Sequence, residues 1–211
     1  MQGLMLKDFY NMKKNIGATF VTAFCVGLLL MVQGNPSMFV VGITLAGGSI
    51  CSSCLRMDET AGWAKFELTA PISRTIVVLE KYALLIVLTL MSFAFGCIVS
   101  YIAGTITHSF EMEQFLIYAS VGFSLAIITG SLIIFCIFKF GLIKADFFTI
   151  ICYLIPVGIF VGALIIVDKA GIDIMAGSSY LFITAAFPII AIAFMALISV
   201  ITIRGYKRKQ F

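Results

Sequence analysis

Polar and apolar residues follow one another along this chain in long blocks, not residue by residue. Six stretches hold no Asp, Glu, Lys, Arg or His: 16–32, 38–55, 82–106, 115–138, 147–167 and 180–203. Each is 17 to 25 residues long, the length an α-helix needs to cross a hydrocarbon core of about 30 Å. Strands of a membrane barrel would be about 10 residues with strict alternation. The pattern predicts an all-α, polytopic membrane protein, with six transmembrane helices forming one domain over residues 1–211.

Composition supports that reading. Hydrophobic residues make up 62% of the chain and charged residues 11%, and the mean hydropathy is +1.14. A soluble domain is about 45–50% apolar and about 25% charged, so this chain lacks the polar surface to cover itself in water. The net charge of +4 is informative only through its placement. With the N-terminus cytoplasmic, the inner segments 1–15, 56–81, 139–146 and 204–211 hold 13 of the 14 Lys and Arg residues, and the outer ones hold only Lys169. Basic residues are retained on the cytoplasmic side, so both termini are expected on the cytoplasmic side of a cell membrane. The first apolar run follows Lys13 and Lys14 as in a signal peptide, but no small-x-small cleavage site closes it. Before it, Met5, Phe9, Met12 and Ile16 share one helical face, with Lys7, Asp8 and Lys14 off it. That suits an amphipathic elbow helix over residues 1–15 resting on the inner leaflet; the alternative is a frayed polar terminus.

Several chemistries are missing. No ionisable residue lies inside a span, as proton- or sodium-coupled carriers usually require. Intramembrane proteolysis needs a buried base or paired carboxylates, and neither occurs, so no catalytic residue is assigned. No GxxxxGK[ST] phosphate loop occurs either, and the chain is not expected to be an enzyme. Cys51-Ser-Ser-Cys54 has metal or redox spacing, but on an uncharged helix without histidine it reads as two small packing residues. His108, the only histidine, stands in an outer loop with Glu111 and Glu113 and reads as a solvated residue. No metal site is expected.

The longest polar segment, 56–81, carries four basic and four acidic residues, too balanced for a lipid-binding polybasic patch. Asp58 reads as an N-cap with Glu59 in the first turn. Trp63, Phe66 and Ala70 follow on one side, and Pro71 ends the helix. Arg74 then leads into the third span. Trp63, the only tryptophan, is either a headgroup anchor or an aromatic knob for a soluble partner.

The run Asp58-Glu59, Gly62-Trp63, Phe66, Thr69-Ala70-Pro71-Ile72-Ser73-Arg74 and Glu80-Lys81-Tyr82 resembles the permease signature of the ABC transporter type-2 family. It is most similar to the small six-span permeases of Gram-positive bacteria, which include the phenol-soluble modulin exporters. Leu6-Lys7-Asp8-Phe9-Tyr10 resembles the opening of the same family.

The resemblance implies that the 56–81 loop holds a coupling helix, from Glu59 to Leu68, that docks on a separate ATP-binding subunit. Trp63 and Phe66 would be the docking knobs, Pro71 the break, and Asp58, Glu59 and Arg74 a charged rim or the loop's own geometry. ATP and Mg would be held by that partner, with no cofactor in this chain. A second permease, identical or a paralogue, would pair through spans two and five. Ala46-Gly47-Gly48 and Gly158-x-x-x-Gly162 offer small residues for close helix approach, although glycine is also simply common in membrane helices. The cargo of such an exporter would be hydrophobic or amphipathic: an antimicrobial or toxin peptide, a drug or a lipid. A membrane immunity or regulatory subunit that binds a partner or toxin without transporting it is the alternative. The outer segment 168–179 is short for this fold, which leaves little material for an extracellular gate.

Overall fold

A computed structural model describes residues 7, 8, 10, 17, 21, 24, 25, 27 and 28, and the continuous stretches 35–62, 73–169 and 179–207. The first span (16–32) lies almost wholly outside these residues, as do Trp63, Phe66 and Pro71 and most of the expected elbow helix. Five continuous helices carry the structure: α1 (Met38–Thr60), α2 (Arg74–Ile106), α3 (Met112–Phe140), α4 (Leu142–Lys169) and α5 (Ser179–Lys207). They correspond to spans two to six. Four segments are long and apolar enough to cross a membrane: Met38–Asp58, Arg74–Ile106, Met112–Phe140 and Thr184–Lys207. A shorter apolar run, Phe147–Phe160, lies within α4. The chain is therefore a multi-pass helical membrane protein, and six spans remain the expectation of the sequence.

The helices outrun the uncharged blocks, and each overshoot has a local cause. α2 begins at Arg74, eight residues before the third block, because Ser73 adopts an extended backbone and its hydroxyl accepts the Ile76 amide at 3.4 Å, satisfying an otherwise orphaned donor. At 33 residues and 1.5 Å per residue it is about 50 Å long, so its ends project past the hydrocarbon. The expected inner loop 139–146 shrinks to one residue. α3 runs to Phe140, Gly141 turns the chain at φ 75°, and α4 starts at Leu142. That backbone angle favours glycine, which has no Cβ to clash. Pro156 and Pro188 lie inside α4 and α5.

α3 is the centre of the bundle, packed on all four other helices, most extensively on α5 and α1. Its apolar window is 72% buried, against 17% for that of α5, whose outer face is left for lipid. The core joins Ile50, Cys51, Cys54 and Leu55 of α1, Val78, Leu84, Leu85 and Leu88 of α2, and Ile133, Ile134 and Ile137 of α3. Cys51 and Cys54 are thus packing residues, as their spacing on an apolar helix suggested. No group of three metal-ligating side chains forms among the described residues. Close approach rests on glycine. A Cβ on Gly47 would fall 1.9 Å from the Ser92 hydroxyl, and one on Gly122 would fall 2.9 Å from the Val41 backbone.

A candidate coupling site at the root of the 61–73 segment

α1 ends and α2 begins on either side of the segment singled out by the sequence. The charged residues there do not spread into water. α1 continues through Asp58 to Thr60, so Asp58 lies in a last turn and does not cap a new helix, as the sequence pattern had suggested. Its carboxylate turns inward and is only 8% exposed.

The Lys81 ammonium, 2% exposed on α2, donates to Asp58 Oδ2 at 2.7 Å and also to Asp8 Oδ2. Lys7 donates to Asp58 Oδ1 at 2.7 Å, and its Nζ lies 3.1 Å from Asp8 Oδ1. Lys7, Asp58, Lys81 and Asp8 thus close a ring of alternating charge, each cation bridging both carboxylates. Asp8 is fully buried, although the elbow-helix pattern put it on a polar face toward water. Burial alone would raise its pKa, but the Lys81 ammonium above all, with smaller contributions from Glu80 and Lys7, outweighs that and holds the carboxyl below the usual aspartate value of 3.8.

The backbone around the ring is tied down as well. The Cys51 thiol lies 3.6 Å from the Lys81 carbonyl and the Cys54 thiol 3.9 Å from the Asp8 carbonyl. Glu80, also fully buried, places Oε2 at 3.6 Å from Lys81 Nζ, and neither of its oxygens has a hydrogen-bond partner among the described residues. Three carboxyls therefore crowd two ammonium groups in a dry site. Such clusters add little net stability, because desolvation cancels most of the attraction. Their physical consequence is geometric: removing one member leaves a buried charge uncompensated, so the three segments are held in one arrangement.

Further ties link this end of the bundle. Arg74 Nη1 donates to the Lys207 carbonyl of α5 at 3.2 Å, and Tyr82 and Thr202 share a hydroxyl hydrogen bond of 2.9 Å between the same helices. Arg56 Nη2 reaches Thr149 Oγ1 of α4 at 3.5 Å. Of the residues expected in the coupling loop, Asp58 and Arg74 are thus engaged within the chain. Glu59 lies in α1, with its side chain outside the described set, as are Trp63, Phe66 and Pro71 entirely.

The small-residue candidates separate. Gly47 and Gly48 are used within the chain: a Cβ on Gly48 would meet the Ala126 carbonyl of α3 at 3.2 Å, and Gly47 meets α2. Ala46 packs beside Phe39 and Ile43. Around Gly158 and Gly162 no described residue lies within 4 Å of where a Cβ would stand.

The roles of Asp8, Glu80 and Lys81 were not legible in the sequence beyond their place in its motifs. The available signal was charge sitting directly against apolar blocks, at Asp58 and at Glu80-Lys81, where an unpaired charge is costly.

Comparison with known proteins agrees with this architecture. The family described as ABC-2 family transporter protein matches residues 3–207, nearly the whole chain. Neither the curated proteins nor the solved structures gave a match.

Proposed function

The chain belongs to the ABC-2 transporter family, and from that premise we propose that this permease subunit exports a hydrophobic or amphipathic cargo by coupling the 61–73 segment to ATP hydrolysis in a separate subunit. The observation that carries the reading is the closed ring of Lys7, Asp8, Asp58 and Lys81. It fastens the N-terminal segment, the end of α1 and the start of α2 at the two roots of the coupling segment. A displacement applied to that segment is then passed to all three together, not spent on bending one helix.

In this reading Trp63 and Phe66 dock on the ATP-binding subunit, which supplies ATP and Mg. Pro71 and the Ser73 cap end the coupling helix and start α2. Closure of two ATP-binding subunits draws two such segments together and tilts the first three spans, narrowing a central path between two permeases. Gly158 and Gly162 leave an open strip on α4 where a second helix could approach closely; the partner permease is a second copy or a paralogue. The spans carry no charge, which suits a short helical or antimicrobial peptide, a toxin, an apolar drug or a lipid better than an ionic solute. The partition of Lys and Arg supports cytoplasmic termini.

The test is ATP-driven uptake of a labelled amphipathic peptide into inside-out vesicles holding the permease and its genomic-neighbour ATPase. Trp63→Ala is expected to insert normally and to lose most ATP-dependent uptake. Uptake at the wild-type rate in that variant would reject the coupling role. A permease that binds the peptide yet never moves it with ATP would point to an immunity or regulatory subunit.

A further inference from the structure

A second feature lies at the same end of the bundle, away from the ring. The C-terminal turns of α3 and α5 part to leave a cavity of about 580 Å³ lined by Phe135, Phe138, Lys139, Thr202, Arg204 and Tyr206, among others. Its lining is divided by chemistry. Thr202 is buried, with its hydroxyl engaged by Tyr82 and the Ile198 carbonyl. Tyr206 packs edge-on to Phe138 with ring centroids 5.0 Å apart, so this wall is fixed and largely apolar. Lys139 and Arg204 supply the charge, both on exposed positions, and neither forms an ion pair with a described residue. Lys139 is held in place by aromatic faces, its Nζ 5.3 Å from the Phe135 ring centroid and 5.2 Å from that of Phe140.

The depth of the site points to its occupant. Lys139 follows the fourth uncharged block directly and Arg204 follows the sixth, so both cations stand where headgroups begin. Toward the membrane middle, α3, α4 and α5 line a second, half-open cavity of about 510 Å³. It is lined by Leu125, Ile128 and Leu132 on α3, Ile159 on α4, and Ile190 and Phe194 on α5. From Phe194 in this cavity to Ile201, which lines the first one, is seven residues, or about 10 Å of helix rise, a distance that one acyl chain covers. Two cations at headgroup depth above a greasy recess on the same helices match an amphiphile with an anionic head. Basic pockets between membrane helices take such heads.

We infer that the seam between α3 and α5 is a binding site for an anionic phospholipid, with its phosphate between Lys139 and Arg204 and an acyl chain directed toward the second cavity. The site sits beside the Tyr82–Thr202 and Arg74–Lys207 ties that hold α2 to α5, so its occupancy steadies that pair of helices. The lipid is a resident component and distinct from any cargo; the inference stands whether or not the chain exports peptides.

Native mass spectrometry of the detergent-solubilised protein, titrated with phosphatidylglycerol or phosphatidylcholine, tests it. The wild type is expected to retain phosphatidylglycerol preferentially. Lys139→Gln/Arg204→Gln should lose that retention by roughly tenfold or more, since each basic residue near a membrane surface contributes about 1 kcal/mol toward anionic lipid. The charge-conserving Lys139→Arg/Arg204→Lys should keep it, with both variants first shown monodisperse. Equal retention of the two lipids, or retention unchanged in the Gln variant, overturns the site. So does full competition by soluble glycerol phosphate, which would identify a free phosphate ester as the ligand. A loss of thermal stability in the Gln variant with lipid retention intact also overturns it, and would leave the two cations only the task of offsetting helix C-terminal dipoles.

Discussion

Lys81 is the residue on which the buried ring turns, because it bridges Asp8 and Asp58 from α2. Replacing it with Met leaves two dry carboxylates facing Lys7 alone. Breaking a buried pair by deleting one partner costs about 3–5 kcal/mol, so Lys81→Met should melt markedly lower in a detergent thermal-shift assay. Lys81→Met/Asp58→Leu should recover part of that loss, since removing both members of a pair removes the uncompensated charge. A pH profile follows from Asp8, whose folded pKa lies below 3.8. A depressed carboxyl pKa gives stability that is present in full above the unfolded value and is lost as pH falls through the folded one. The Asp8 share of the melting temperature should therefore be constant near neutral pH and be lost with acid only below about 3.8, a loss that Asp8→Asn should remove. None of this pairing was visible in sequence. Asp58 lies 51 residues from Lys7, and Lys81 lies 73 from Asp8, and no local periodicity reports contacts at such separations.

Among the helices, packing sorts glycines that composition could not tell apart. Gly47→Val would drive a side chain into Ser92 and α2; overpacking of this kind costs about 1–3 kcal/mol, which a thermal-shift assay would register as a lower melting point. Gly158→Val meets no described residue within 4 Å and should leave the melting temperature of the single chain unchanged while weakening any permease dimer seen by cross-linking. The cores of the second, third, fourth and sixth spans were legible because a run of about 20 apolar residues has few other structural uses. Their ends were not. Charged residues at Asp58, Arg74 to Lys81 and Lys139 to Asp146 looked like loop, yet helix continues through most of them. Charge stops a block of hydropathy, whereas helices start at caps such as Ser73 and stop at turns such as Gly141.

For the molecule as a whole, the described ion pairs gather at one end of an apolar bundle. The six uncharged blocks hold no Asp, Glu, Lys, Arg or His, which is what the proposed apolar cargo asks of a path. The ring and the Arg74 and Arg56 ties gather at the end where the 61–73 segment leaves and returns. The signature residues of that segment were recognisable in sequence because Trp63 and the Pro71–Arg74 run are unusual company between two spans. The network that anchors them became visible only in three dimensions. In the proposed cycle this segment docks on an ATP-binding subunit through Trp63, and the only tryptophan in the chain reports directly on that contact. The decisive measurement is Trp63 emission in the reconstituted permease, titrated with a partner ATPase whose own tryptophans are replaced by phenylalanine. A saturable blue shift on adding the ATPase is expected; emission that stays constant up to saturating ATPase would show that the segment does not dock through Trp63.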